Sequence, residues 1–143
     1  MGASSSFKTA VLTTLFQNAN LSNIGDATGI RGSSVAGSLW IALNTGTRND
    51  DSSANECNYT GYARRPITRD SAFAISGNNA SNAALVTFGK KTGGSDQTAT
   101  HFKVFTAPTG GDLLISGDLA SPLLISDNVQ PEFAIGELDV NFT

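Results

Sequence analysis

From residue 38 onward, apolar side chains recur at every second position, the period of a strand. The run SLWIALN, residues 38–44, puts Leu39, Ile41 and Leu43 on one face and Trp40 and Ala42 on the other. Both faces are apolar, which predicts a central strand. Shorter runs follow: YARRPIT (62–68), FAI (73–75), NAALVTF (82–88), THFKVFT (100–106), LLISG (113–117) and PLLIS (122–126). In THFKVFT, Phe102 and Val104 oppose His101, Lys103 and Phe105. The last run, EFAIGELDVNF, changes parity: Phe133 and Ile135 share one face, and Leu138, Val140 and Phe142 share the other. A strand keeps one face buried through such a slip only by inserting a residue, so the pattern predicts a β-bulge at Gly136-Glu137.

Ahead of the strands the period is helical. Phe7, Val11, Leu12, Leu15 and Phe16 form one stripe of a 3.6-residue repeat, which predicts a helix over 7–18 with Ser5 or Ser6 as its N-cap. Residues 19–37 hold many turn formers and no sustained period. This stretch reads either as an arm reaching a neighbour or as a loop packed on its own fold. About eight strands with no helix between them rule out βαβ crossovers. The expected fold is mainly β, an antiparallel β-sandwich, most simply a jelly roll, with one N-terminal helix. No internal repeat interrupts 1–143, which reads as a single domain: helix, loop or arm, then sandwich over 38–143.

Charged residues make up only 15% of the chain, so few acids, bases and ion pairs are on offer. The net charge of −3 argues against nucleic acid as a partner, since phosphates demand clustered Lys and Arg. No apolar run is long enough to span a membrane. The N-terminus, broken by Lys8 and threonines, lacks the pattern of a signal peptide. Cys57 is the only cysteine, so an internal disulfide is excluded.

The chemistry-bearing residues are scattered. His101, the only histidine, lies in a strand among Phe102, Val104 and Phe105, a framework setting. Cys57 falls in a polar loop, where exposure is expected. One Cys and one His make no zinc shell. Asp50, Asp51 and Glu56 lack the spacing of a calcium loop. No cofactor or metal is expected, and the composition suits a structural or binding module rather than an enzyme. A sugar platform would have to use Trp40, Tyr59 or Tyr62, beside the eight phenylalanines.

The stretch NECNYTGYARRPIT, residues 55–68, concentrates the unusual residues. Gly61 suits a turn, and Tyr62 can bury its ring while its hydroxyl stays bonded. Ala63 to Thr68 then predicts a strand with Arg64 and Arg65 on opposite faces. Pro66 lacks a ladder donor, which places that strand at an edge or bulge. One arginine is expected at solvent or a neighbouring subunit. The other is expected over an aromatic ring or against a carboxylate.

Four segments in order, LWIALNTG (39–46), GYARRPIT (61–68), LVTFG (85–89) with ATHFKVFTAPTGGDLLISGDL (99–119), and FAIGELDVNF (133–142), carry a family resemblance. The chain resembles small tailed-bacteriophage virion proteins often labelled "tail fibre protein", whose relatives include jelly-roll proteins that decorate or cement capsids. It departs at Arg65, where a Gln-like residue is usual, and in its longer stretch before Ser38. The resemblance implies a virion structural protein, a cement protein on the outer face of the major capsid protein lattice. Its expected form is a homo-oligomer, a dimer or trimer. A tail-fibre or tail-adaptor role is the alternative, and a carbohydrate-binding jelly roll is an alternative of another class. Phe7, Val11, Leu15 and Ile30, on the helix and loop, join Arg64 and Arg65 as candidate interface residues.

Overall fold

The computed structural model describes residues 1–143. Helix α1 spans Ser5–Gln17, starting before the predicted first residue because Ser4 is the N-cap: its Oγ accepts from the Phe7 N–H at 3.2 Å. Asn18 ends the helix in the left-handed region, at φ 54°. Leu12 and Phe16 carry the buried stripe, and Phe16 stacks on Phe73 with ring centroids 4.7 Å apart.

Nine strands follow: β1 Ser38–Thr45, β2 Arg65–Thr68, β3 Phe73–Ser76, β4 Asn79–Asn82, β5 Val86–Thr87, β6 Gln97–Phe105, β7 Leu113–Ile125, β8 Glu132–Phe133 and β9 Asp139–Asn141. Every ladder is antiparallel. The sheets run β2-β1-β6-β7, β3-β4-β9 and β5-β8. The fold is therefore a mainly β, antiparallel sandwich with an N-terminal helix, as the periodicity predicts. Strand β1 is central, and β2, with Pro66, lies at an edge.

Opposed residues share a face, so Ile41 with Val104 and Leu43 with Phe102 build the inner wall. They join α1 and the smaller sheets in one cluster of 20 buried residues. The outer wall carries Ala42, Lys103, Asn44 and His101, and it is buried too. The 46–56 loop folds over it: Lys103 Nζ donates to the Asn49 carbonyl at 3.0 Å and to that of Ser52.

Several expectations need correcting. LLISG and PLLIS are one strand, β7. Its register slips between the Ala99–Leu123 and His101–Asp118 pairs, so the residues around Pro122 swell out where a missing donor does no harm. NAALVTF contributes only β5 and the end of β4. The polar NASN of β4 has no apolar alternation, although a Gly77-Asn78 hairpin loop with Gly77 at φ 60° announces it. The predicted bulge at Gly136-Glu137 is instead a turn between β8 and β9, which join different sheets. Asn82 imposes it. Its Nδ2 donates to the Ala84 and Ala134 carbonyls at 2.8 and 2.9 Å, and its Oδ1 accepts from the Leu138 N–H at 2.9 Å.

Candidate interface surfaces

The 55–68 stretch is built around a buried ion pair. Arg64 Nε and Nη2 donate to the two Glu56 carboxylate oxygens, each at 2.8 Å. Its Nη1 donates to the Ala107 and Gly110 carbonyls at 2.9 and 2.8 Å. The guanidinium carbon stands 3.7 Å from the centre of the Phe105 ring. A planar fork fits this setting and an ammonium would not. The Tyr62 hydroxyl donates to Glu56 Oε1 at 2.8 Å and accepts the Leu43 N–H at 3.1 Å. Burial, and then the Glu56 charge, hold the Tyr62 phenol protonated far above its ordinary range.

Cys57 corrects a prediction. It is buried, not exposed, because Glu56 bridges Asn44 and the Cys57 N–H donates to the Leu43 carbonyl at 2.8 Å. That pairing turns the thiol into the core. Burial, then Glu56, push its pKa up to about 11, and burial pushes that of Tyr59 up to about 12. Neither is an activated nucleophile. Gly61, at φ 102°, has no room for a Cβ against the Lys90 carbonyl, and Tyr59 Oη donates to the Gly89 carbonyl at 2.9 Å. Tyr59 is thus buried and Tyr62 half-buried with its hydroxyl engaged, while Trp40 is half-buried in β1.

His101 is buried on the outer wall. The Thr100 hydroxyl gives its proton to the Gly46 carbonyl at 2.5 Å, so the 2.9 Å contact is a donation from His101 Nδ1 to that hydroxyl. Burial, and then the neighbouring Lys103 charge, lower its pKa.

The candidate interface residues fall into separate places. Phe7 and Ile30 are 45% and 52% exposed, Val11 and Leu15 are half-buried, and Leu15 packs against the core. Arg64 is committed inside the chain, whereas Arg65 is exposed. The loop after α1 lies on its own fold: Leu21 and Ile30 exchange backbone hydrogen bonds of 2.8 and 3.0 Å. Sequence reasoning missed Arg69. Its Nε and Nη2 donate to the Leu15 and Thr14 carbonyls at 2.7 and 2.8 Å, and its Nη1 reaches the Ala36 carbonyl at 3.3 Å. No local pattern signals a contact between residues so distant in sequence.

This is an antiparallel β-sandwich whose loops are pinned by buried cations. The chain matches the family described as podophage GP4 fiber I protein gp80 over residues 4–141, nearly its whole length. It belongs to that family, which makes it a bacteriophage virion structural protein. No curated protein matches it.

Proposed function

We propose that the chain is a non-enzymatic component of a fibre on the phage particle, acting by burying surface against other virion proteins. The family match to a fiber protein across residues 4–141 carries this reading. The bonding of the titratable side chains supports the non-catalytic part. Arg64 is tied to Glu56, Lys103 to loop carbonyls, and Lys91 to Asp96 and Asp127. In such a role, many copies gain strength from repetition rather than from one tight contact. A symmetric homo-oligomer, dimer or trimer, is the form expected of it.

A second reading places the same chain on the capsid exterior as a cement protein bound to the major capsid protein. The observation favouring it is the molecule's build: α1 folds back on the sandwich, and no long helix or shaft-like repeat extends from it. Gold-labelled antibodies on intact particles distinguish the two. Label confined to fibres is expected. Label spread over the capsid faces would replace the first reading with the second, and unlabelled particles would remove both.

A further inference from the structure

Strand β7 is an edge strand of thirteen residues, with β6 on one side and no strand on the other. Beyond the β6 ladder, no backbone hydrogen bond within the chain involves residues 113–125. Proteins usually guard such edges with Lys, Pro, bulges or short length. The opposite edge of this sheet, β2, follows that practice: it has four residues, including Arg65 and Pro66. Leu113 to Leu119 has neither Lys, Arg nor Pro; one bulge falls at Leu114, between the Phe105–Leu113 and Val104–Ile115 pairs, and the larger slip and Pro122 come after Leu119.

This edge, free of Lys, Arg and Pro up to Leu119, borders a groove of about 700 Å³. One wall is Leu114 to Asp118. The other is Gly136 to Phe142, including β9, itself an edge strand of its sheet. The walls touch at Gly117, where an added Cβ would lie 2.5 Å from the Asp139 carbonyl oxygen. Leu114 to Asp118 spans roughly 17 Å, with Leu114 and Asp118 exposed at its ends and Ser116 and Gly117 buried between them, a length that matches a short added strand along the rim.

The groove has a charge preference. Asp50, Asp118, Glu137 and Asp139 line it against one guanidinium, Arg48, which lies 3.0 Å from Asp50 and 3.2 Å from Asp118. Leu114, 40% exposed, supplies an apolar contact beside these acids. We infer that the groove between β7 and β9 receives an extended segment of another virion protein, alternating apolar with Lys or Arg, which adds as a strand to the β7 edge. A second copy of β7 suits the groove poorly, because it would bring its own Asp118 into an acidic site. The identity of the partner rests on the virion reading; the groove's preference does not.

The test uses the full chain and a fluorescent nine-residue peptide alternating valine and lysine. Saturable binding is expected, with amide shifts in residues 113–120 and 139–141. The valine–glutamate counterpart should bind at least about tenfold more weakly. N-methylation along one edge of the basic peptide should abolish binding, while methylation along the other edge should leave it intact. Asp118→Lys, at an exposed side chain, should weaken the basic peptide by about tenfold with an unchanged urea midpoint. Equal affinity for both peptides, indifference to methylation, or shifts elsewhere would overturn the inference. So would a dimer of the chain alone formed through these residues. Particle labelling and peptide binding can fail independently, so the two proposals are separable.

Discussion

Arg64 neutralises Glu56, ties two loop carbonyls and covers the Phe105 ring. Truncation leaves the Glu56 carboxylate, only 24% exposed, without its partner. Arg64→Ala should therefore cost about 3–5 kcal/mol of unfolding free energy in urea titrations. Arg64→Lys should recover part of the charge but not the fork, and remain clearly destabilised. Much of this pair was legible: parity put the two arginines on opposite faces, and their chemistry named a ring or a carboxylate. Cys57 was not legible. Its burial depends on a bridge to β1, set by register between segments, and polar neighbours disguise it. The native thiol should resist a disulfide reagent at mildly alkaline pH and react once guanidinium unfolds the chain. Prompt native reaction would contradict the buried geometry.

His101 and Cys57 also set how stability depends on pH. The folded pKa of His101 lies below its ordinary 6.5, so on acidification the unfolded chain takes up the proton first. Stability from this group is full above pH 6.5 and falls as pH drops below it. Lys103, Arg48, Asp118 and Asp50 all act on the ring, and His101→Gln should flatten the acid slope of the urea midpoint. At the alkaline end the sign reverses. The unfolded thiol ionises near 9 while the folded one waits until about 11, so stability declines above pH 9. Cys57→Ala should remove that portion of the decline, measured as the difference between the two proteins' pH profiles.

At the scale of elements, two small features carry much of the architecture. Phe16 anchors α1 through its stack on Phe73, and Phe16→Ala should cost about 3–5 kcal/mol and expose the helix to protease. Asn82 shapes the β8–β9 turn with bonds from both ends of its amide. Asn82→Ala should cost about 2–4 kcal/mol by leaving buried backbone groups unpaired, read as a lower thermal midpoint. The helix and β1 were readable because their apolar stripes are long and regular. The parity slip near Gly136 predicts a bulge, and the structure has a turn between two strands instead. Bulge and turn share one local signature, and only the partners of β8 and β9 decide between them. Strand β4 carries no periodic apolar signal, because of its two buried residues, Ala80 and Asn82, one is polar.

For the whole molecule, periodicity was enough to give an antiparallel sandwich. It could not divide nine strands among three sheets, because that division lies in contacts between distant segments. The same limit applied to candidate surfaces: Phe7, Ile30 and Arg65 are accessible for contact, while Arg64 faces inward. The proposed assembly has a direct check. Sedimentation of the purified chain at micromolar concentration should give a dimer or trimer, and a monomer throughout would remove the homo-oligomer from the proposal.

Arg69 grips the carboxyl end of α1 and the chain just before β1 with one guanidinium. It is the rivet that joins the two ends of the 18–37 loop, beside the Phe16–Phe73 stack and the Gln17 bond to the Phe73 carbonyl that hold the helix itself. Peeling should be abrupt: with Arg69→Met, limited digestion should shed the whole leading segment in one step, where the parent chain gives it up only as the sandwich itself opens. A leading segment so fastened can swing out to a neighbour in the particle only after that rivet is drawn and the Phe16 ring has left its stack.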